Sequence, residues 1–184
     1  MSVVHSLRGQ LLVSGPSLVD PNFRHTVVLL GEHGDEGAMG IVLNRRSEVA
    51  VGDAVPPLAA LVGRNELVYL GGPVQPEAVV VLADFAEPGR AGQLVLGSVG
   101  FLPGELDEAA ALGDLHAVRV FAGYAGWGRG QLEAELEEGS WLVFPALSSD
   151  VFTERPADLW RDVLRREGGK YALLASLPAD PRVN

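Results

Sequence analysis

Three segments of this 184-residue chain hold residue types that do chemistry. The first is Gly123-Tyr124-Ala125-Gly126-Trp127-Gly128-Arg129-Gly130-Gln131, with four glycines in eight residues between an expected strand, Ala117–Ala122, and a helix. Strand, glycine loop and helix N-terminus together can present backbone N–H groups and a positive dipole end to an anion. Gly123 and Gly128 bracket four residues, close to P-loop spacing, but Arg129-Gly130 stands where Lys-Ser/Thr is needed. The phosphate lysine and the magnesium hydroxyl are both missing, and the GxGxxG dinucleotide pattern fails as well. The same glycines serve equally to allow positive φ and close packing, with Tyr124 and Trp127 filling core.

The second segment centres on His33, flanked by Glu32, Asp35 and Glu36 between Gly31 and Gly37. A histidine among carboxylates can bind a metal or act as a general base. His25 lies eight residues upstream. With a strand over 26–31, the two imidazoles stand roughly 26 Å apart at about 3.3 Å per residue, too far to share an ion. HExxH is absent, and carboxylates beside turn glycines also read as solvated loop charges. The third segment is Asp20-Pro21-Asn22-Phe23-Arg24 together with Asn44-Arg45. Asp-Pro and Asn form turns, and an Asn at a strand end often holds loop backbone. Leu96-Gly97-Ser98-Val99-Gly100 is not GxSxG, so no nucleophile elbow is read. No segment alone makes an active site.

The elements that must position these residues are mostly short strands. Gln10–Ser14, Thr26–Gly31 and Met39–Asn44 come first, the last two joined by the turn-rich Glu32–Gly37 as a hairpin with a long connection. Leu67–Leu70, Ala78–Leu82, Gln93–Leu96, Ala117–Ala122 and Trp141–Phe144 follow, several almost wholly apolar, as strands covered on both faces are. Helices are expected at Pro57–Val62, at Glu105–Leu112 with Gly113 as its stop, and at Gly130–Glu138. The fourth, Pro156–Glu167, places Leu159, Trp160, Val163 and Leu164 on one stripe. An early hairpin without regular βαβ alternation indicates an α+β domain flanked by three or four helices.

Residues 1–184 parse as a single domain, with no linker-like cluster and no repeat. At this length the chain buries roughly 70% of its unfolded surface and needs no staple. It has no cysteine, which excludes disulfides, thiolate zinc sites, iron–sulfur clusters and thiol nucleophiles. No apolar run approaches the roughly 20 residues of a membrane helix, and the start does not read as a signal peptide. A cytoplasmic location is the expectation. The 14 basic and 24 acidic side chains leave a net charge of −10. Residues 101–140 hold Arg119 and Arg129 against eight acidic groups, a local balance of −6. That field repels polyanions and anionic membranes, so nucleic-acid binding is not expected.

In order along the chain, these segments resemble the YqgE/AlgH family of small bacterial proteins. The resemblance rests on Asp20-Pro21-Asn22-Phe23, on Glu32-His33 through Gly37-Ala38-Met39-Gly40, on Asn44-Arg45 and on Gly71-Gly72-Pro73-Val74. Its most specific parts are Gly123 through Gly128 and Gln131-Leu132-Glu133-Ala134-Glu135-Leu136, closed by Trp141-Leu142. Arg46 departs from the family's usual Asn-Arg-Pro. The resemblance implies a large, mostly antiparallel sheet; it implies no agreed catalytic set. Some members carry the label of transcriptional regulator, which the charge map and the lack of a helix-turn-helix oppose.

The expectation is therefore a cytoplasmic, non-enzymatic binding or regulatory domain that takes a small ligand or a protein partner, with no cofactor and no metal. Its site would bring Asn22, His33, Asn44 and Arg45 to one sheet end, with Gly126 and Gly128 nearby. A hydrolase or phosphate-ligand enzyme using His33 with Asp20 or Glu32 is the first alternative. A transcriptional regulator is the second.

Overall fold

Strand β9, Leu115–Trp127, is the axis of the architecture, because its two ends pair with different halves of one ten-stranded sheet. The computed structural model describes residues 5–103 and 115–177. The other strands are β1 Gln10–Ser14, β2 Val27–Gly34, β3 Gly37–Val42, β4 Arg46–Ala50, β5 Leu67–Leu70, β6 Val74–Phe85, β7 Gln93–Leu96, β8 Val99–Phe101 and β10 Trp141–Pro145. They run in the order β10-β1-β2-β3-β9-β6-β8-β7, with β5 against β9 and β4 against β5. Only the β5–β9 pairing is parallel among the described strands. The large, mostly antiparallel α+β sheet is therefore present.

Residues 115–124 of β9 face β6, while Ala125, Gly126 and Trp127 oppose Gly40, Met39 and Ala38 of β3. The change of partner falls beside Gly123, which has φ +75° and meets the turn at Gly71-Gly72. A Cβ on Gly123 would lie 2.4 Å from the Gly72 carbonyl oxygen, so only glycine permits this approach.

Described helices are α1 Val51–Ala54, α2 Ala59–Val62, α3 Gln131–Glu137, α4 Ser148–Val151, α5 Leu159–Glu167 and α6 Lys170–Leu174. Strands alternate their side chains between two faces, and here both faces are covered. Leu11, Val13, Val27, Leu29 and Ile41 join Phe121, Leu82 and Val99 under the buried stripe of α5. On the opposite face Leu12, Val28, Leu30 and Val42 meet Trp127, Trp141 and Leu132 of α3. Double coverage explains why these strands read as continuous apolar runs.

Two strands escaped the sequence reading. β4 (RSEVA) is too polar to signal a strand, and β8 is three residues long with a central glycine. The hairpin also differs from expectation. Both strands continue into the supposed connection, leaving Asp35 and Glu36 as the turn, so His33 sits in a strand opposite Ala38. The segment Pro156–Glu167 splits into a 3-10 turn, Pro156–Asp158, and α5. The helix expected at Glu105–Leu112 lies outside the described residues.

Candidate functional site

His33 points from β2 onto the face covered by α3. Its side chain is 2% exposed, and its Nε2 lies 2.7 Å from Glu133 Oε1. The Leu7 amide donates to Nδ1 at 2.9 Å. An Nδ1 that accepts must be unprotonated, so Nε2 carries the proton and donates it to Glu133. The hydrogen bond from His33 is the leading reason that the Glu133 carboxyl is held below its ordinary range. A hollow of about 450 Å³ runs along the hairpin beside Trp127, but the imidazole it borders is engaged at both nitrogens. The carboxylate partner is thus Glu133, in place of the Asp20 or Glu32 expected from the sequence.

Asn44 and Arg45 occupy the opposite end of β2. Val27, where β2 begins, and His33 near its finish are six residues apart, about 20 Å at roughly 3.3 Å per residue. Asn44 Nδ2 donates to the His25 carbonyl at 2.8 Å, and Asn44 Oδ1 accepts from the Val27 amide at 3.0 Å. Arg45 Nη2 donates to the carbonyls of Pro21 at 2.7 Å and Arg24 at 3.3 Å. Asn22 belongs to the same turn, its amide held by Asp20 Oδ1 at 2.8 Å. Burial lowers the Arg45 pKa, and the Asp20 carboxylate opposes that shift. Asn44 and Arg45 thus bind the backbone of the 20–25 turn that contains Asn22, and His33 is not with them. His25, at φ +53°, closes this turn by stacking on Trp160 with 3.9 Å between ring centroids.

The glycine segment is a strand through Trp127 and not a loop. Its amides consequently do not converge on an anion. Gly126 opposes Met39 and Gly128 donates its N–H to Gln131 Oε1 at 3.0 Å, which satisfies an amide at the start of α3. Both lie on the His33 side of the sheet. Trp127 fills the core and donates through Nε1 to Glu135 at 2.7 Å. The acidic residues of α3 thus hold His33 and Trp127 in place.

A different region keeps polar groups available. A cleft of about 510 Å³ opens where β4, β5 and β9 pass beneath the loop that follows α4. Arg46, Glu66, Tyr69, Arg119 and Glu154 are among its lining residues. Arg119 Nη1 donates to the Thr153 carbonyl at 2.7 Å and the Val151 carbonyl at 3.3 Å, and its guanidinium sits 4.3 Å from the Tyr69 ring centroid. Burial lowers the Arg119 pKa more than Tyr69 and Glu66 raise it. No carboxylate lies within ion-pair distance of Arg119 or Arg46 among the described residues. No group of three or more metal-ligating side chains occurs among the described residues either.

The model of the AlgH-like family matches residues 11–172. The chain belongs to the AlgH-like family. A UPF0301 protein of Streptomyces coelicolor is 43% identical over 192 residues, spanning 100% of this chain and 98% of the relative. One from Rhodococcus opacus is 41% identical across 96% of this chain and 90% of its own length. The crystal structure of DIP2367 from Corynebacterium diphtheriae superposes with a TM-score of 0.84 at 31% identity, covering 96% and 95% of the two chains. The solution structure of the AlgH protein from Pseudomonas aeruginosa gives 0.73 at 31% identity, with 97% of each covered.

Within this AlgH-like fold, the cleft is what the motif reading missed. One signal was legible: Arg119 interrupts the apolar run Ala117-Val118-Arg119-Val120-Phe121-Ala122. A charge inside a strand of that kind needs partners or a cavity. Glu133 carried no such mark, since it stands in a run of acidic residues, Glu133, Glu135, Glu137 and Glu138, that reads as a solvated helix.

Proposed function

We propose that this AlgH-like chain is a non-enzymatic, cytoplasmic binding domain whose ligand site is the cleft walled by Arg46, Tyr69 and Arg119. The observation that carries the reading is the state of Arg119. Half-buried against Tyr69, it is bound by protein only through Nη1, so Nε and Nη2 keep their donors without a partner among the described residues. A concavity with a few convergent, unmatched polar groups is the usual form of a small-molecule site.

The polar residues of the sequence motifs support the same reading from the other side. His33 is engaged at both ring nitrogens, Asn44 holds backbone through both polar atoms of its amide, and Arg45 holds two backbone carbonyls through Nη2. A net charge of −10 weighs against a DNA-binding regulator. No described helix is long and apolar enough to cross a membrane.

A thermal-shift panel of metabolites and inorganic ions tests the proposal, because a ligand that binds only the folded state raises Tm by mass action. At least one compound should raise Tm for the unaltered chain, and raise it less for Arg46→Gln at the same concentration. A flat response across the panel overturns the reading.

A further inference from the structure

We infer that the cleft takes a small molecule through a single carboxylate, gripped by the Nε–Nη2 edge of Arg119 with Arg46 as a second cation. The inference rests on the reading of the cleft as the ligand site and specifies its chemistry. A guanidinium offers two edges that match a carboxylate, and Nη1 of Arg119 is already committed to the carbonyls of Val151 and Thr153. The edge left over, Nε–H with Nη2–H, is the fork that binds two carboxylate oxygens side by side. The guanidinium lies 4.3 Å over the Tyr69 ring centroid, a contact that restrains the fork before any ligand arrives. Pre-orientation of this kind lowers the entropy lost on binding.

Charge narrows the class. Arg46 and Arg119 sense each other across the cleft, and Glu66 and Glu154 lie within electrostatic range of Arg119 without pairing to it. The pocket is therefore balanced, two cations against two anions, inside a molecule of net charge −10. A dianionic phosphate meets repulsion from both glutamates and from the whole field. A monocarboxylate meets less, and a ligand that also carries an ammonium gains from Glu66 and Glu154.

The test is an NMR titration of the full chain that follows the side-chain Nε–H of Arg119 and the backbone amides of Tyr69 and Arg46. The probes are butyrate, benzoate and alanine, then inorganic phosphate, then butylamine and glucose. Saturable shifts at Arg119 Nε–H with the carboxylates are expected. Arg119→Lys keeps the charge but loses the fork and should weaken binding at least tenfold. Arg46→Gln, on an exposed side chain with no hydrogen bond or ion pair among the described residues, should weaken it about threefold at unchanged Tm, so the result does not depend on the folding of the Arg119 variant. Tighter binding of phosphate than of any carboxylate overturns the carboxylate assignment. So do cleft shifts produced by butylamine or glucose alone, while the binding reading stands in both cases. Absence of cleft shifts with every probe overturns the assignment of the cleft itself.

Discussion

His33 Nε2 and Glu133 Oε1 lie 2.7 Å apart although 100 residues separate them in the chain. With the Leu7 amide on Nδ1, the imidazole ties together the segment before β1, the hairpin and α3. Such a His–carboxylate pair has the form of a catalytic dyad. Its burial and its backbone bond give it a structural role instead, because a general base needs a free nitrogen facing substrate.

Glu133→Ala leaves the almost wholly buried Nε2–H of His33 without an acceptor and should destabilise by about 1–2 kcal/mol in urea unfolding. Glu133→Gln keeps an acceptor and should be milder. The pH profile separates them further. The folded-state pKa of Glu133 is depressed, so its contribution is present above the unfolded value and is lost as pH falls through the folded one. The carboxylate is 37% exposed, so solvent screening holds this part under about 1 kcal/mol. The Gln variant should lack that portion of the acid slope; an unchanged slope contradicts the assignment.

Asp150 and Arg166 form two parallel hydrogen bonds, at 2.8 and 2.9 Å, between α4 and α5. The Asp150 side chain is 4% exposed and also accepts the Leu147 amide at 2.8 Å. Removing the cation by Arg166→Met strands a buried carboxylate, and a loss of about 2–4 kcal/mol is expected. The double variant Asp150→Asn with Arg166→Met should recover part of it. Recovery is read from chemical unfolding, and additive losses contradict the coupling.

Trp127 and Trp141 stack edge to face with 5.9 Å between ring centroids, yet only one has its indole N–H satisfied. Trp127 donates to Glu135, whereas Trp141 Nε1 is buried without a partner among the described residues. Both changes to Phe remove similar volume. Trp127→Phe also breaks a hydrogen bond to a charged group and should be the more destabilising by about 1–2 kcal/mol. Equal Tm losses contradict this.

Glycines of the motif segments fall into two kinds. A Cβ on Gly72, at φ +151°, would lie 2.1 Å from the backbone of Tyr124, so Gly72→Ala should cost several kcal/mol or prevent folding. A Cβ on Gly126 would find only Val74 at 3.7 Å and Tyr124 at 4.0 Å, ordinary contacts. Gly126→Ala should change stability by less than about 0.5 kcal/mol. A large loss there would show that the close approach of strands, and not an open surface, governs this position.

Much of the fold was legible because it depends on local pattern. β1, β5 and β7 match their expected bounds, and the buried stripe of α5 follows from its spacing. β4 was not legible, since a polar strand is held by its pairing to β5 and leaves no apolar signature. The candidate site was less legible still. Asn44 and Arg45 bind the 20–25 turn that contains Asn22, as strand-end residues can, but β2 carries His33 to its far end. The glycine motif looked like a loop because glycine lowers strand propensity. Tertiary pairing with β3 overrode that preference and carried β9 on to Trp127.

Composition and periodicity alone determined one acidic, cysteine-free α+β domain and the stripes that form its core. These depend on the identity of neighbours a few residues away, which any chain displays. Only the tertiary structure decided that His33 meets Glu133, that Asp150 meets Arg166, and that Arg119 lies over Tyr69 with only Nη1 bonded among the described residues. A hydrogen bond is a short-range contact between specific atoms, so its partner is chosen by how distant strands and helices pack. Sequence spacing carries no record of that choice.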